Sequence, residues 1–165
     1  GYILVTPIQL VCLISAFANN GILYKPRVLQ SLETPEGITV EEFPSVLRSE
    51  IPIRPENLQI IRRGLRGVVN ENGTGQRAYI PGLGVSGKTG TAQVVKLREQ
   101  EKEMPGDEDS TPEHLRDHAW FVAFAPFDHP EIAVVIFLEH GGRGGQNSAP
   151  LAREIISAYL LGGRS

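Results

Sequence analysis

The stretch Gly82-Leu83-Gly84-Val85-Ser86-Gly87-Lys88-Thr89-Gly90-Thr91-Ala92-Gln93 sets one lysine and two threonines among glycines. It admits two incompatible chemistries. Gly82, four residues, then Gly87-Lys88-Thr89 match every fixed position of the phosphate-cradling pattern G-x-x-x-x-G-K-[ST]. The run Val134 to Leu138 with Glu139 would then serve as a Walker B strand. Such a loop needs a strand before its glycines and a helix after its lysine, because the helix N-terminus holds the phosphates. Arg77-Ala78-Tyr79-Ile80-Pro81 is no strand core, Gly90 follows Thr89 at once, and β-branched residues beyond it disfavour a helix. The second chemistry places the same residues on an extended strand. There Thr89 and Thr91 alternate with Gly90 and turn their hydroxyls to one face. Gly90, lacking a side chain, lets another backbone approach closely.

The flanking pattern favours the strand. Thr89, Thr91, Val94 and Val95 are β-branched without helical spacing, which predicts a strand over residues 85–97. Ala119 to Ala125 and Ile132 to Leu138 are apolar runs of strand length that do not alternate, as expected of interior strands covered on both faces. Pro126-Phe127-Asp128-His129-Pro130 is too short for a crossover, so the two runs pair antiparallel. Helices are predicted around this sheet. Thr6-Pro7-Ile8-Gln9 reads as a capping box opening a helix that Asn20-Gly21 ends. A second runs from about Pro55 to Val69, with Leu58, Ile61, Leu65 and Val68 on its face and Arg62, Arg63 and Arg66 off it. A last helix starts near Ser148, with Leu151, Ile155, Ala158 and Tyr159 on one face. Residues 22–33 read as short extended pieces and 34–53 as a surface excursion. Residues 98–117, with eight acids against three bases, read as a solvated acidic loop.

Composition narrows the function classes. Hydrophobic residues make up 41% and charged residues 21%, which is globular rather than disordered composition. A net charge of -3 gives no footprint for nucleic acid and no polybasic face for anionic lipid. No apolar run reaches the roughly 18 residues of a membrane span, and Gly1 to Val5 leads into a helix without a signal-peptide pattern. Any membrane segment is therefore expected outside these residues. The single cysteine, Cys12, sits among Leu10, Val11, Leu13 and Ile14 and reads as a small buried hydrophobe. His118, His129 and His140 lack metal-ligand spacing, so neither metal nor cofactor is expected. Trp120 reads as core.

A bare Lys-Thr-Gly triplet would carry little. The longer string Gly87-Lys88-Thr89-Gly90-Thr91-Ala92-Gln93, however, strongly resembles the third motif of class B penicillin-binding proteins. Other segments resemble the same family in the same order. Gly1-Tyr2 with Thr6 to Leu10 is similar to the helix after the second motif. Asn72-Gly73-Thr74-Gly75 is similar to the turn before the third-motif strand, and Leu115-Arg116-Asp117-His118 with Phe121 to Pro126 to the next strand. The Leu-Arg-Asp-His segment most resembles the elongation-type members, the penicillin-binding protein 2 group. The resemblance implies an α+β fold, an antiparallel central sheet packed by helices on both faces. Residues 1–165 would be the C-terminal portion of one transpeptidase domain, and 98–117 an insertion.

It also implies an activity: D,D-transpeptidation of peptidoglycan stem peptides through a serine acyl-enzyme, with β-lactams acylating the same serine. Lys88 and Thr91 would be the catalytic residues here. Lys88 would add positive charge and aid proton shuttling, and the Thr91 N–H would form half of the oxyanion hole. Thr89 and Thr91 would bind the substrate carboxylate, Gly90 would admit the peptide backbone, and Gln93 would line the cleft. The Gly141 to Gly145 run resembles the family's glycine-containing turn after the last strand; a plain flexible hairpin is the other reading. The family's S-x-x-K and S-x-N serines are missing: none of Ser15, Ser31, Ser45, Ser49, Ser86, Ser110, Ser148, Ser157 and Ser165 has Lys three positions on or Asn two on. The chain alone is therefore expected to be inactive, its parent anchored at the periplasmic face of the bacterial inner membrane and working with the cell-elongation machinery. Two alternatives remain, a non-catalytic β-lactam sensor or interaction domain of the same fold and the phosphate-loop protein. A β-lactamase fits the Ala92-Gln93 continuation and the acidic loop less well.

Overall fold

The computed structural model describes residues 4–94 and 112–162. In chain order the elements are α1 (Pro7–Ala18), β1 (Ile22–Tyr24), β2 (Ser31–Glu33), β3 (Thr39–Glu42), β4 (Leu47–Glu50), α2 (Pro55–Asn70), β5 (Ser86–Ala92), β6 (His118–Ala125), β7 (Ile132–Leu138) and α3 (Ala149–Leu161). Strands β5, β6 and β7 form one antiparallel sheet in that order, with Ser86 opposite Phe124 and Ala125 opposite Ile132. The expected extended pieces at 22–33 are β1 and β2, and each pairs antiparallel with a strand from the expected excursion at 34–53, β1 with β4 and β2 with β3. The strand expected over 85–97 ends at Ala92, with Gln93 and Val94 beyond it; residues 95–97 of it and 98–111 of the acidic loop lie outside the described residues, and Glu113–Leu115 is a 3-10 turn.

Helices cover both faces of the sheet, which explains why β6 and β7 do not alternate. Phe121, Ala123 and Ala125 pack against Ala149, Ala152 and Ile156 of α3. On the other face Phe124 and Val122 pack against Ile14, Ala18 and Phe17 of α1. Helix α2 lies beside β5 and feeds both clusters, with Val69 in the first and Leu65 in the second. The expected capping box of α1 is present: Thr6 Oγ1 accepts from the Gln9 N–H, and Gln9 Oε1 from the Thr6 N–H at 2.8 Å.

Two helix faces differ from expectation. Helix α3 buries Ala149, Ala152 and Ile156, leaving Leu151, Ile155 and Tyr159 exposed. The alanines let its backbone come close to β6, and close approach wins over the bulkier stripe. On α2, Arg62 is 5% exposed, inside the buried face. Its Nη1 donates to Asn20 Oδ1 at 2.9 Å and its Nη2 to the Phe127 carbonyl. Its guanidinium also lies 5.5 and 5.3 Å from the ring centroids of Phe124 and Phe127. A buried charge survives only when paired with acceptors, and here the acceptors lie on the end of α1 and the β6–β7 turn. Cys12 and Trp120 are half-buried rather than core. Trp120 lies on Phe137 at a centroid distance of 4.3 Å.

Because Arg62 ties three elements, Arg62→Ala should lower unfolding stability by about 3 kcal/mol, stranding two acceptors. Urea unfolding followed by Trp120 fluorescence measures this; a loss below about 1 kcal/mol would place the arginine among ordinary surface residues.

Candidate functional site

Strand β5 carries the motif, and its position in the sheet decides what the motif can do. It pairs with β6 only, so among the described residues no strand pairs with its other edge, although α2 reaches its start, where Asn70 Nδ2 donates to the Val85 carbonyl at 2.8 Å. The phosphate-loop reading fails here. Ser86–Ala92 is strand, with Lys88 at its centre, so no helix N-terminus follows the lysine to hold a phosphate.

Register sorts the side chains. Lys88 lies opposite Val122, which packs on the α1 face. Thr89 lies opposite Phe121, which packs on the α3 face, and Thr91 opposite Ala119 shares that side. The lysine and the two threonines therefore approach the free edge from opposite faces. Lys88 is exposed, and its ammonium donates to the Thr89 carbonyl at 2.8 Å. Thr89 is half-buried, and its hydroxyl lies 2.9 Å from that of Thr74. Thr91 is exposed, and Gln93 is exposed just past the strand end.

Gly90 sits in unbroken register opposite Trp120, so it is not a bulge. A Cβ built on it would lie 3.2 Å from the Trp120 Cβ. The other side of this residue pair is occupied by backbone. A Cβ on Gly144 would fall 2.2 Å from the Trp120 carbonyl oxygen, 2.5 Å from that of Gly90 and 3.2 Å from the Gly90 nitrogen. One point so near both carbonyls lies over the gap between the strands, so the Gly90 polar groups face β6. Alternation then turns the N–H and C=O of Thr89 and Thr91 to the free edge. The Lys88 bond to the Thr89 carbonyl fits this orientation.

The glycine run is thus no free hairpin. Its last residues form a π turn, Gly144–Ser148, that docks under β5. Gly145 abuts the Thr74 carbonyl, where a Cβ would come within 2.3 Å, and Arg77 Nη1 donates to the Gln146 carbonyl at 3.0 Å. Thr74 itself stands in the Asn72–Gly75 turn after α2, held by the Gly75 N–H to Val68 carbonyl bond of 3.0 Å. Asn-Gly before the strand announced the turn; nothing in the sequence announced the Thr74–Thr89 contact. His118 and His140, scattered in sequence, meet in space: the His140 N–H donates to His118 Nδ1 at 2.9 Å. His129 is apart and exposed. Ser86 and Ser148 are fully buried, Ser86 bonded to the Gly84 carbonyl. An open groove of about 500 Å³ between α1 and the β1–β4 pair, lined by Leu4, Ile8, Cys12 and Leu23 among others, contains none of the motif residues.

Comparison with known proteins bears on the family and the fold. The family model "Penicillin binding protein transpeptidase domain" matches residues 1–157. The peptidoglycan D,D-transpeptidase MrdA of Haemophilus influenzae is 37% identical over 164 residues, covering 97% of this chain and 24% of that protein. MrdA of Escherichia coli K12 is 33% identical over 167 residues, with 98% and 25% covered. The chain thus spans about a quarter of the length of these curated relatives. Among solved structures, the ceftriaxone acyl-enzyme complex of penicillin-binding protein A from M. tuberculosis superposes with a TM-score of 0.74 at 27% identity, over 95% of this chain and 33% of that one. Pseudomonas aeruginosa PBP2 in complex with WCK 5153 gives 0.68 at 32% identity, over 98% and 31%.

The docked turn makes two glycine substitutions diverge. Gly144→Ala should destabilise the chain by roughly 3 kcal/mol, because its methyl would overlap two backbone carbonyls. Gly82 has φ +79° with nothing within 4 Å of a built Cβ. Gly82→Ala should therefore cost only the left-handed strain of about 1 kcal/mol. Thermal unfolding of both variants checks the order; equal losses would mean the turn does not press on β5.

Proposed function

The chain belongs to the penicillin-binding protein transpeptidase domain family, and on that premise we propose that it is the C-terminal wall of a peptidoglycan D,D-transpeptidase active site. The observation that carries this is the free edge of β5, with Thr91 backbone turned outward, Lys88 on one face and two threonine hydroxyls on the other. An extended stem peptide would add to this edge as a further strand. Its terminal carboxylate would accept from the hydroxyls of Thr89 and Thr91, with Gly90 between them adding no bulk.

The nucleophile is a serine outside residues 1–165, in an S-x-x-K motif. It attacks the carbonyl carbon of the D-Ala-D-Ala amide, and negative charge gathers on the carbonyl oxygen. The Thr91 N–H and the serine's own N–H donate to that oxygen. Fixed donors aimed at developing charge are each worth on the order of 10² to 10³ in rate. The amide then breaks, D-Ala leaves with a proton, and an acyl ester remains on the serine. An amine of a neighbouring stem peptide attacks this ester, forming the crosslink and freeing the serine. The Lys88 charge holds the anionic substrate and supports proton movement through the serine of an S-x-N motif. Gln93, past the strand end, lines the cleft. A β-lactam meets the same edge and leaves a stable acyl-enzyme.

The relatives named MrdA favour a place in cell-wall synthesis. In this reading the parent works at the periplasmic face of the bacterial inner membrane with the elongation machinery. No described helix is long and apolar enough to cross a membrane.

Intact mass after incubation with penicillin tests the reading. The 165-residue chain should gain nothing, and a longer polypeptide carrying the serine motifs should gain one penicillin. Lys88→Ala in that polypeptide should slow the adduct about a hundredfold. An adduct on the short chain, or none on the long one, would contradict it; an adduct without crosslinking turnover would mark a β-lactam sensor instead.

A further inference from the structure

The geometry points to Thr74 as a positioning residue that aims the Thr89 hydroxyl at a carboxylate; this rests on the transpeptidase reading of β5. The two hydroxyls lie 2.9 Å apart, and either can donate to the other. If Thr89 donates to Thr74, its proton is spent inside the protein. If Thr74 donates, the Thr89 proton is free for a ligand. An anion arriving at the free edge favours the second direction, and each bond in such a chain strengthens the next.

Thr74 is built to hold still. Its turn is tied by the Gln76 N–H to Gly73 carbonyl bond at 3.3 Å and by Gln76 Nε2 to Asn72 Oδ1 at 3.1 Å. A Cβ on Gly73 would fall 2.4 Å from the Val68 carbonyl oxygen, so the turn lies against the end of α2. A Cβ built on Gly145 would fall 2.3 Å from the Thr74 carbonyl oxygen and 3.4 Å from the Thr89 methyl carbon, so the Gly145 backbone packs beside both. Thr89 is thus held by its methyl on one side and its hydroxyl on the other, which fixes its χ1 before any ligand arrives. The ligand class that uses this is a carboxylate at the end of an extended backbone.

The test uses the polypeptide that joins this chain to its serine motifs, and two probes, penicillin and its carboxyl methyl ester. Thr74→Val keeps the shape and removes the hydroxyl. Its second-order acylation constant for penicillin should fall about tenfold, while that for the ester stays within about twofold of the unmodified protein. Thr74→Ser should restore the penicillin rate. Combined with Thr89→Val, Thr74→Val should cost nothing further, because it acts through that residue. An unchanged penicillin rate would overturn the proposal. An equal fall with acid and ester would overturn it too, since Thr74 would then be holding the strand and not the proton. No adduct from either probe on the unmodified protein would instead remove the transpeptidase reading beneath it.

Discussion

The contact of Gly144 backbone with the Gly90–Trp120 pair is the constraint on which the rest depends. Gly144 lies so near both strands that no side chain fits between them. The contact fixes the height of the π turn over the sheet, and with it the start of α3. It also brings Gly145 against Thr74 and Thr89, so the α2 turn, the motif strand and the C-terminal helix meet at one junction. Backbone carbonyls and Cα atoms have no rotamers to give way. An edge strand, normally the most pliable part of a sheet, is here backed by rigid groups on the α3 side.

That rigidity suits the proposed role of an edge that binds by its backbone. Preorganised N–H donors stabilise charge because they need not reorganise when it appears. The Thr91 N–H can act so only if β5 keeps its twist and register while a ligand comes and goes. The division of side chains serves the same end. Lys88 reaches the edge from the α1 face and the hydroxyls from the α3 face, so charge and directional donors do not compete for one space. Buried Arg62 holds α1, α2 and the β6–β7 turn together on the lysine side.

What could be read from the sequence follows the physics that leaves local marks. The β-branched Thr89 and Thr91, the apolar runs of β6 and β7 and the Thr6–Gln9 capping box are local, and each appears where expected, while β5 stops at Ala92, short of Val94. The motif string placed the family. Tertiary choices left weaker marks. On α3 the bulky stripe Leu151–Ile155–Tyr159 gave way to Ala149, Ala152 and Ile156, because close approach is decided by the partner surface. Arg62 read as a surface residue because its acceptors are a side-chain amide 42 residues earlier and a carbonyl 65 residues later. The docking of Gly144 and the Thr74–Thr89 bond joins residues 54 and 15 positions apart, given by 144 less 90 and 89 less 74. Composition has no way to show such pairings.

The most direct measurement is a crystal structure of the serine-bearing polypeptide after reaction with penicillin. The acyl carbonyl oxygen should accept from the Thr91 N–H at hydrogen-bond distance, with the penicillin carboxylate on the hydroxyls of Thr89 and Thr91. An acyl group whose carbonyl points away from β5, or a carboxylate held elsewhere, would contradict the account of this edge as the substrate-binding wall.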